Sequence, residues 1–81
     1  MLKLKIVSPE RIEFEGTVES VKVPGSMGSF EILNDHAPII SSLDKGVVEY
    51  SSTDGQTTQL SILGGFVEVQ KNEVNLCVEL K

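Results

Sequence analysis

Asp35 and His36 are the one place in this chain where a general base stands beside a carboxylate that could orient it, the pairing from which proton transfer is built. Neighbours in sequence rarely aim their side chains together, and no nucleophile is tied to the pair by spacing, so the mutual geometry of a catalytic site is missing. The plainer reading is a loop histidine that caps a turn or touches a partner. Cys77 is the single thiol. A reactive thiolate needs an electropositive setting, and Asn75 and Glu79 beside it offer none, so a small packing residue is expected. One Cys cannot form an internal disulfide, and one Cys with one His makes a poor zinc site. Gly25-Ser26-Met27-Gly28-Ser29 has the glycines of a phosphate loop but neither the Gly-Lys-Ser/Thr ending nor a following helix. Glycines ahead of a strand serve turns that need positive φ. The glutamates from Glu13 to Glu79 are scattered as solvated faces, and no glycosidase pair stands out among them. No catalytic residue, cofactor or metal is expected.

The elements that must position these residues have a period of two, which sends alternate side chains to opposite faces of a strand. Leu2, Leu4 and Ile6 share one face, with Lys3 and Lys5 on the other, until Ser8-Pro9 breaks the segment. Ile12 and Phe14 form a second segment that Gly16 stops. The apolar phase shifts between Val18 and the pair Val21 and Val23, which predicts a bulge near Glu19 and Ser20. Pro24-Gly25 and Asn34-Asp35 read as turns on either side of a short strand in which Phe30 and Ile32 face one way, Ser29 and Glu31 the other. Asp44-Lys45-Gly46 separates Ile39–Leu43 from Val47–Tyr50, and Asp54-Gly55 is a hairpin turn. Gly64-Gly65 predicts a bend or bulge before Phe66. Lys71-Asn72 then turns the chain into Glu73–Leu80, the cleanest alternation of all. No segment sustains a helical period. Short strands with turn signals about every 8–12 residues indicate an all-β sandwich or barrel.

The chain has 81 residues, enough for a single domain spanning 1–81 and too few for two. At 40% hydrophobic and 23% charged residues the composition is that of a folding chain. A core of this size rarely supplies more than about 3–5 kcal/mol without a staple. With no disulfide or metal to act as one, the staple is expected to be another protein. Seven Lys and Arg against twelve Asp and Glu leave a net charge of −5, which argues against nucleic acid, whose phosphates demand basic patches. No apolar run reaches the ~18 residues of a membrane span, and Met1–Val7 lacks the continuous apolar stretch of a secretory signal. A soluble chain on the cytoplasmic side of any membrane is expected.

Asp44-Lys45-Gly46 also raises lipoyl and biotinyl carrier domains, which are acidic, all-β, of similar length, and carry a modified Lys at a mid-chain hairpin tip. The paired Gly-Asp-x-Val segments that flank the Lys in those families are missing here, so Lys45 reads as a turn residue. A stronger resemblance runs along nearly the whole chain. Ser8-Pro9-Glu10-Arg11, Phe14-Glu15-Gly16, Val18–Val21 through Val23-Pro24-Gly25, Gly28–Leu33, His36-Ala37-Pro38-Ile39-Ile40 and Leu63–Val69 follow one another in an order and spacing that resembles the epsilon subunit of the rotary F-type ATP synthase.

That resemblance implies a flattened ten-stranded β-sandwich in the rotor's central stalk, packed against the gamma subunit and set on the polar loops of the c-ring at the cytoplasmic face of the bacterial plasma membrane. It implies no chemistry by the chain itself, no small-molecule substrate, and a part in fixing gamma to the ring so that ion-driven rotation is coupled to ATP synthesis. A free-standing β-sandwich binding module and the carrier domain are the alternatives. The family's C-terminal helical hairpin, which inhibits hydrolysis and in some members binds ATP, has no counterpart here because the chain stops at Lys81. A naturally short form is expected. Where the family often places an acidic residue before the aromatic position, this chain has Ser29, with Glu31 after Phe30. Met27, Ser29 and Glu31 are accordingly the expected c-ring contacts, Glu31 supplying the charge. His36, Ala37, Pro38, Ile39 and Ile40 are the expected gamma contacts, although Pro38, Ile39 and Ile40 could equally fill one end of the sandwich.

Overall fold

The computed structural model describes residues 1–80; Lys81, on whose place after the last strand the short-form expectation rests, lies outside them. The described chain forms seven strands: β1 (Leu2–Val7), β2 (Ile12–Val23), β3 (Phe30–Ile32), β4 (Ile39–Leu43), β5 (Gly46–Ser52), β6 (Thr57–Gln70) and β7 (Glu73–Leu80). No helix long and apolar enough to cross a membrane occurs among the described residues.

Two strands are long because each serves both layers of the sandwich. The first half of β2 pairs antiparallel with β1, from Leu2↔Val18 to Ile6↔Phe14, and its second half pairs with β3 and β5. In β6, Thr57–Ile62 pairs with β5, whereas Ile62–Gln70 pairs with β7 and Gly65–Val69 with β4. β7 returns beside β1 in parallel, Lys3↔Glu73 to Val7↔Cys77. The ladder thereby closes on itself through β1, β7, β6, β5 and β2, and only β3 and β4 lie at edges.

This continuity corrects the expected count of ten strands to seven. Gly16 does not stop a strand: it pairs with Leu4 inside β2, with the Phe14 ring lying over it. The bend or bulge expected at Gly64-Gly65 is present as a register shift between Ile62 and Gly64, inside a continuous β6. A glycine keeps its backbone donor and acceptor, so it bends a ladder without ending it. Gly65 could be nothing else. Its φ is +150°, and a Cβ there would stand 2.1 Å from the Cys77 carbonyl oxygen.

Register shifts also set which side chains face inward. The predicted bulge is present between Val18 and Ser20, and it lets Val18, Val21 and Val23 all point into the core. A second shift, in β2 opposite Ile6 and Val7, corrects another expectation: Phe14 stays inside, partnered by Ile6, while Ile12 pairs with outward-facing Val7 and is 53% exposed. The core is entirely aliphatic where it is fully buried, built from Leu2, Leu4 and Ile6 of β1, Val74, Leu76 and Val78 of β7, and their counterparts on the other strands. Among the described residues no polar or charged side chain is fully buried, so apolar area removed from water, at about 25 cal/mol per Å², carries the packing.

Candidate functional site

The expected contact residues lie on and around the edge strand β3: in the loops on either side of it, in β3 itself and at the start of β4. The first loop, Pro24–Ser29, is a turn closed by Gly28 N–H donating to the Gly25 carbonyl at 2.9 Å. It is pinned to the β4–β5 turn by three hydrogen bonds: Ser26 N–H to the Ser42 carbonyl, Asp44 N–H to the Pro24 carbonyl, and the Ser26 hydroxyl to the Asp44 carboxylate at 3.0 Å. Held this way, the turn raises Met27 with 99% of its surface exposed, a large apolar side chain fixed in water. Ser29 lies just before β3 and Glu31 within it, and both are exposed. Glu31 stands directly across the ladder from Lys22, and Lys22 from Glu49, whose carboxylate accepts from the Gln59 amide at 2.9 Å. The charge that sequence reasoning assigns to a partner thus has a cationic neighbour of its own.

The second loop runs from Leu33 to Pro38. His36 N–H donates to the Leu33 carbonyl at 3.2 Å, closing a turn. His36 Nδ1 lies 2.8 Å from the Ala37 carbonyl, and since a carbonyl only accepts, Nδ1 carries the proton. The neighbouring carboxylate is engaged elsewhere: Asp35 accepts from the Asn72 side-chain amide at 3.1 Å, while Asp35 N–H donates to Asn72 Oδ1 at 2.6 Å. Asp35 and His36 are therefore not joined as an acid–base pair. Phe30, the first residue of β3, and His36 are close, with ring centroids 6.3 Å apart, so the second loop folds back beside the start of that strand. Beyond it the chain divides its apolar side chains: Ile39 turns toward the core opposite Val69, while Ile40 points outward opposite Glu68 and is 74% exposed.

Lys45 sits in the short turn between β4 and β5, whose first residue, Asp44, is tied down by Pro24 and Ser26. Cys77 is half-buried on the outer face of β7, opposite to Val74, Leu76 and Val78 as the alternation predicts. Its cross-strand neighbours are Phe66 and Val7. With Ile12 next in the row, these side chains make an apolar band across the outer face of one layer, and Phe66 is 49% exposed within it. Sequence reasoning missed this band although its signal was present: Phe66, Cys77 and Val7 each occupy the phase of their strand that faces away from the core.

One ionic contact stiffens the turn between β1 and β2. Arg11 Nε–H donates to the Glu13 carboxylate at 3.0 Å, and the Ser8 hydroxyl donates to the same oxygen at 3.0 Å. Both favour the ionised form, Arg11 more strongly, and hold Glu13 below the usual carboxylate range. In the β5–β6 hairpin the Ser52 hydroxyl and the Gln56 N–H donate to Asp54, lowering its pKa in the same way. No cluster of three or more His, Cys, Asp or Glu is placed to hold a metal among the described residues. The arrangement displays side chains from rigid turns, and it assembles no acid, base and nucleophile together.

Comparison with known proteins agrees with this geometry. The family model described as "ATP synthase, Delta/Epsilon chain, beta-sandwich domain" matches residues 1–80. Over 78 residues, 96% of the chain, it is 40% identical to a Leptospira interrogans protein named ATP synthase epsilon chain, of which it spans 61%. A Chlorobium limicola protein of the same name is 42% identical over 77 residues, covering 95% of this chain and 88% of the relative. Among solved structures, a chain of the Euglena gracilis mitochondrial ATP synthase, in an assembly of OSCP, F1 and c-ring, superposes with a TM-score of 0.89 over 95% of this chain and 49% of its own. At 20% identity that likeness is one of fold. These matches lend nothing to the carrier reading of Lys45.

Proposed function

Because the chain belongs to the β-sandwich domain family of the ATP synthase delta/epsilon chain, we propose that it is a non-catalytic element of the enzyme's central stalk. In this role it fixes the gamma subunit to the c-ring, so that ion-driven rotation reaches the catalytic sites as torque. The observation that carries this reading is the family match along residues 1–80, joined to 42% identity with a relative of which the chain covers 88%.

The surface described above supports the assignment of contacts. Met27, Ser29 and Glu31 meet the c-ring loops, and His36, Ala37, Pro38, Ile39 and Ile40 meet gamma, with Ile39 contributing from beneath by seating the strand. Met27 and Ile40 suit such roles, since each holds apolar surface in water that a partner would cover. The exposed Glu31 adds little affinity, about 0.2–1 kcal/mol for a surface pair, and serves register. The chain works at the cytoplasmic side of the bacterial plasma membrane, held there peripherally by its partners.

Affinity purification of the chain from its own cells in mild detergent tests the reading. Gamma and c subunits are expected to co-purify with it in fixed proportion. Recovery of intact ATP synthase that contains no copy of this chain would overturn the proposal.

A further inference from the structure

The loop from Leu33 to Pro38 carries His36, Ala37 and Pro38 of the segment read above as the gamma contact, and none of its residues is fully buried. Its backbone must be held by something other than core packing. Two of its hydrogen bonds are local, His36 N–H to the Leu33 carbonyl and His36 Nδ1–H to the Ala37 carbonyl. Among the described residues, the only hydrogen bonds that tie the loop to another element are the two between Asp35 and Asn72, residues 37 apart in sequence.

Their geometry is reciprocal. Asp35 N–H donates to Asn72 Oδ1 at 2.6 Å, and Asn72 Nδ2–H donates back to Asp35 Oδ1 at 3.1 Å. The second bond has an ionised acceptor, which strengthens it. Both residues adopt left-handed backbone conformations, with φ of +64° at Asp35 and +61° at Asn72, a region that Asn and Asp tolerate better than other side chains. Asn72 is itself anchored, because its carbonyl accepts from Lys3 N–H at 2.9 Å and it sits in the turn joining β6 to β7. The loop is thus hooked to a post standing on three core strands.

We infer that Asn72 is a positioning residue: with Asp35 it forms a latch that fixes the His36-Ala37-Pro38 part of that segment, ahead of β4, in the shape its partner receives. The inference rests on the gamma reading given above. A latch of this kind raises affinity by removing the cost of ordering the loop at the moment of binding.

Three variants of the full chain test it. Asn72→Gly keeps the left-handed backbone and loses both side-chain bonds. Asn72→Asp sets two carboxylates against each other. The exchange Asp35→Asn with Asn72→Asp restores both bonds, the backbone one in its original direction and the side-chain one with donor and acceptor reversed, since the carboxylate introduced at position 72 would accept from the backbone N–H and from the new amide at position 35. Binding to the purified gamma subunit is measured by calorimetry, and amide hydrogen exchange by NMR on the free chain. We expect Asn72→Gly and Asn72→Asp to weaken gamma binding about tenfold, or about 1.4 kcal/mol, and Asn72→Gly, which keeps no side-chain acceptor, to release Asp35 N–H, leaving Leu76 N–H as protected as before. The exchange variant is expected to recover both readouts. Unchanged affinity in Asn72→Gly, or an exchange variant that stays weak, overturns the latch. If the unaltered chain does not bind gamma while Asp35 N–H is protected and then released by Asn72→Gly, the latch is supported and the gamma reading is what falls.

Discussion

Replacing Gly65 with alanine puts the closed ladder to its most direct test. The new methyl would lie 2.1 Å from the Cys77 carbonyl oxygen and 2.9 Å from the Val78 Cα, both backbone atoms that cannot swing aside. Reaching ordinary contact means opening β6 from β7 by more than 1 Å at the pair Gly65↔Val78. The dihedral alone costs about 1–3 kcal/mol, and disrupting one ladder pair adds about 1–3 kcal/mol in buried groups left unpaired. The sum, about 2–6 kcal/mol, is a large share of the roughly 4–12 kcal/mol expected at 0.05–0.15 kcal/mol per residue. Gly28→Ala is the matched control, since Gly28 also has positive φ, +127°, but has open space where its Cβ would go. Thermal unfolding followed by circular dichroism should place Gly65→Ala at least about 4 °C below Gly28→Ala, at about 4–8 °C per kcal/mol. If Gly65→Ala melts level with or above Gly28→Ala, the collision argument is wrong.

Further outcomes follow from other parts of the molecule. Leu76→Ala removes a fully buried side chain, and a loss of about 2–5 kcal/mol should appear as a fall in Tm of at least about 8 °C. Glu13 titrates below the usual carboxylate range because Arg11 and Ser8 favour its charged form, so its stabilising contribution is present above the ordinary glutamate pKa and is lost as pH falls through the lower folded value. Carbon-detected NMR titration should find the Glu13 midpoint low, and Arg11→Ala should raise it toward the ordinary value. His36→Ala should weaken gamma binding about tenfold while moving Tm by less than about 4 °C, as surface substitutions stay near ±0.5 kcal/mol; a larger fall in Tm with binding intact would make His36 a packing residue. Glu31→Lys should reduce c-ring association by several-fold at low salt and by less at high salt, and an unchanged salt dependence would remove the charge role given to Glu31.

Much of the fold was legible because alternation in a strand is a local property. Val74, Leu76 and Val78 announce their face without reference to any other element, and the phase slip between Val18 and Val21 is enough to mark the bulge. What could not be read was continuity. Gly16 looks like a terminator in a one-dimensional string, and whether a glycine ends a strand depends on a partner far away, here Leu4. The displaced Ile12 has the same origin, since its face is set by a register shift against β1. The candidate contacts divide in the same way. His36 to Ile40 stood out as a contiguous motif, whereas Asn72, 37 residues from its partner Asp35, had no local mark beyond being a turn residue.

The parallel pairing of β1 with β7 has a mechanical consequence. The two terminal strands lie side by side and point the same way, so the amino end of one and the carboxyl end of the other lie at opposite extremities of the shared ladder. Tension between them cannot peel bonds apart one after another like a zip. It must slide the register from Lys3↔Glu73 to Val7↔Cys77 as a block, rupturing its bonds together. Loading that shears a ladder in this way spreads the force over all its bonds at once, the behaviour that the stalk role proposed above would call on.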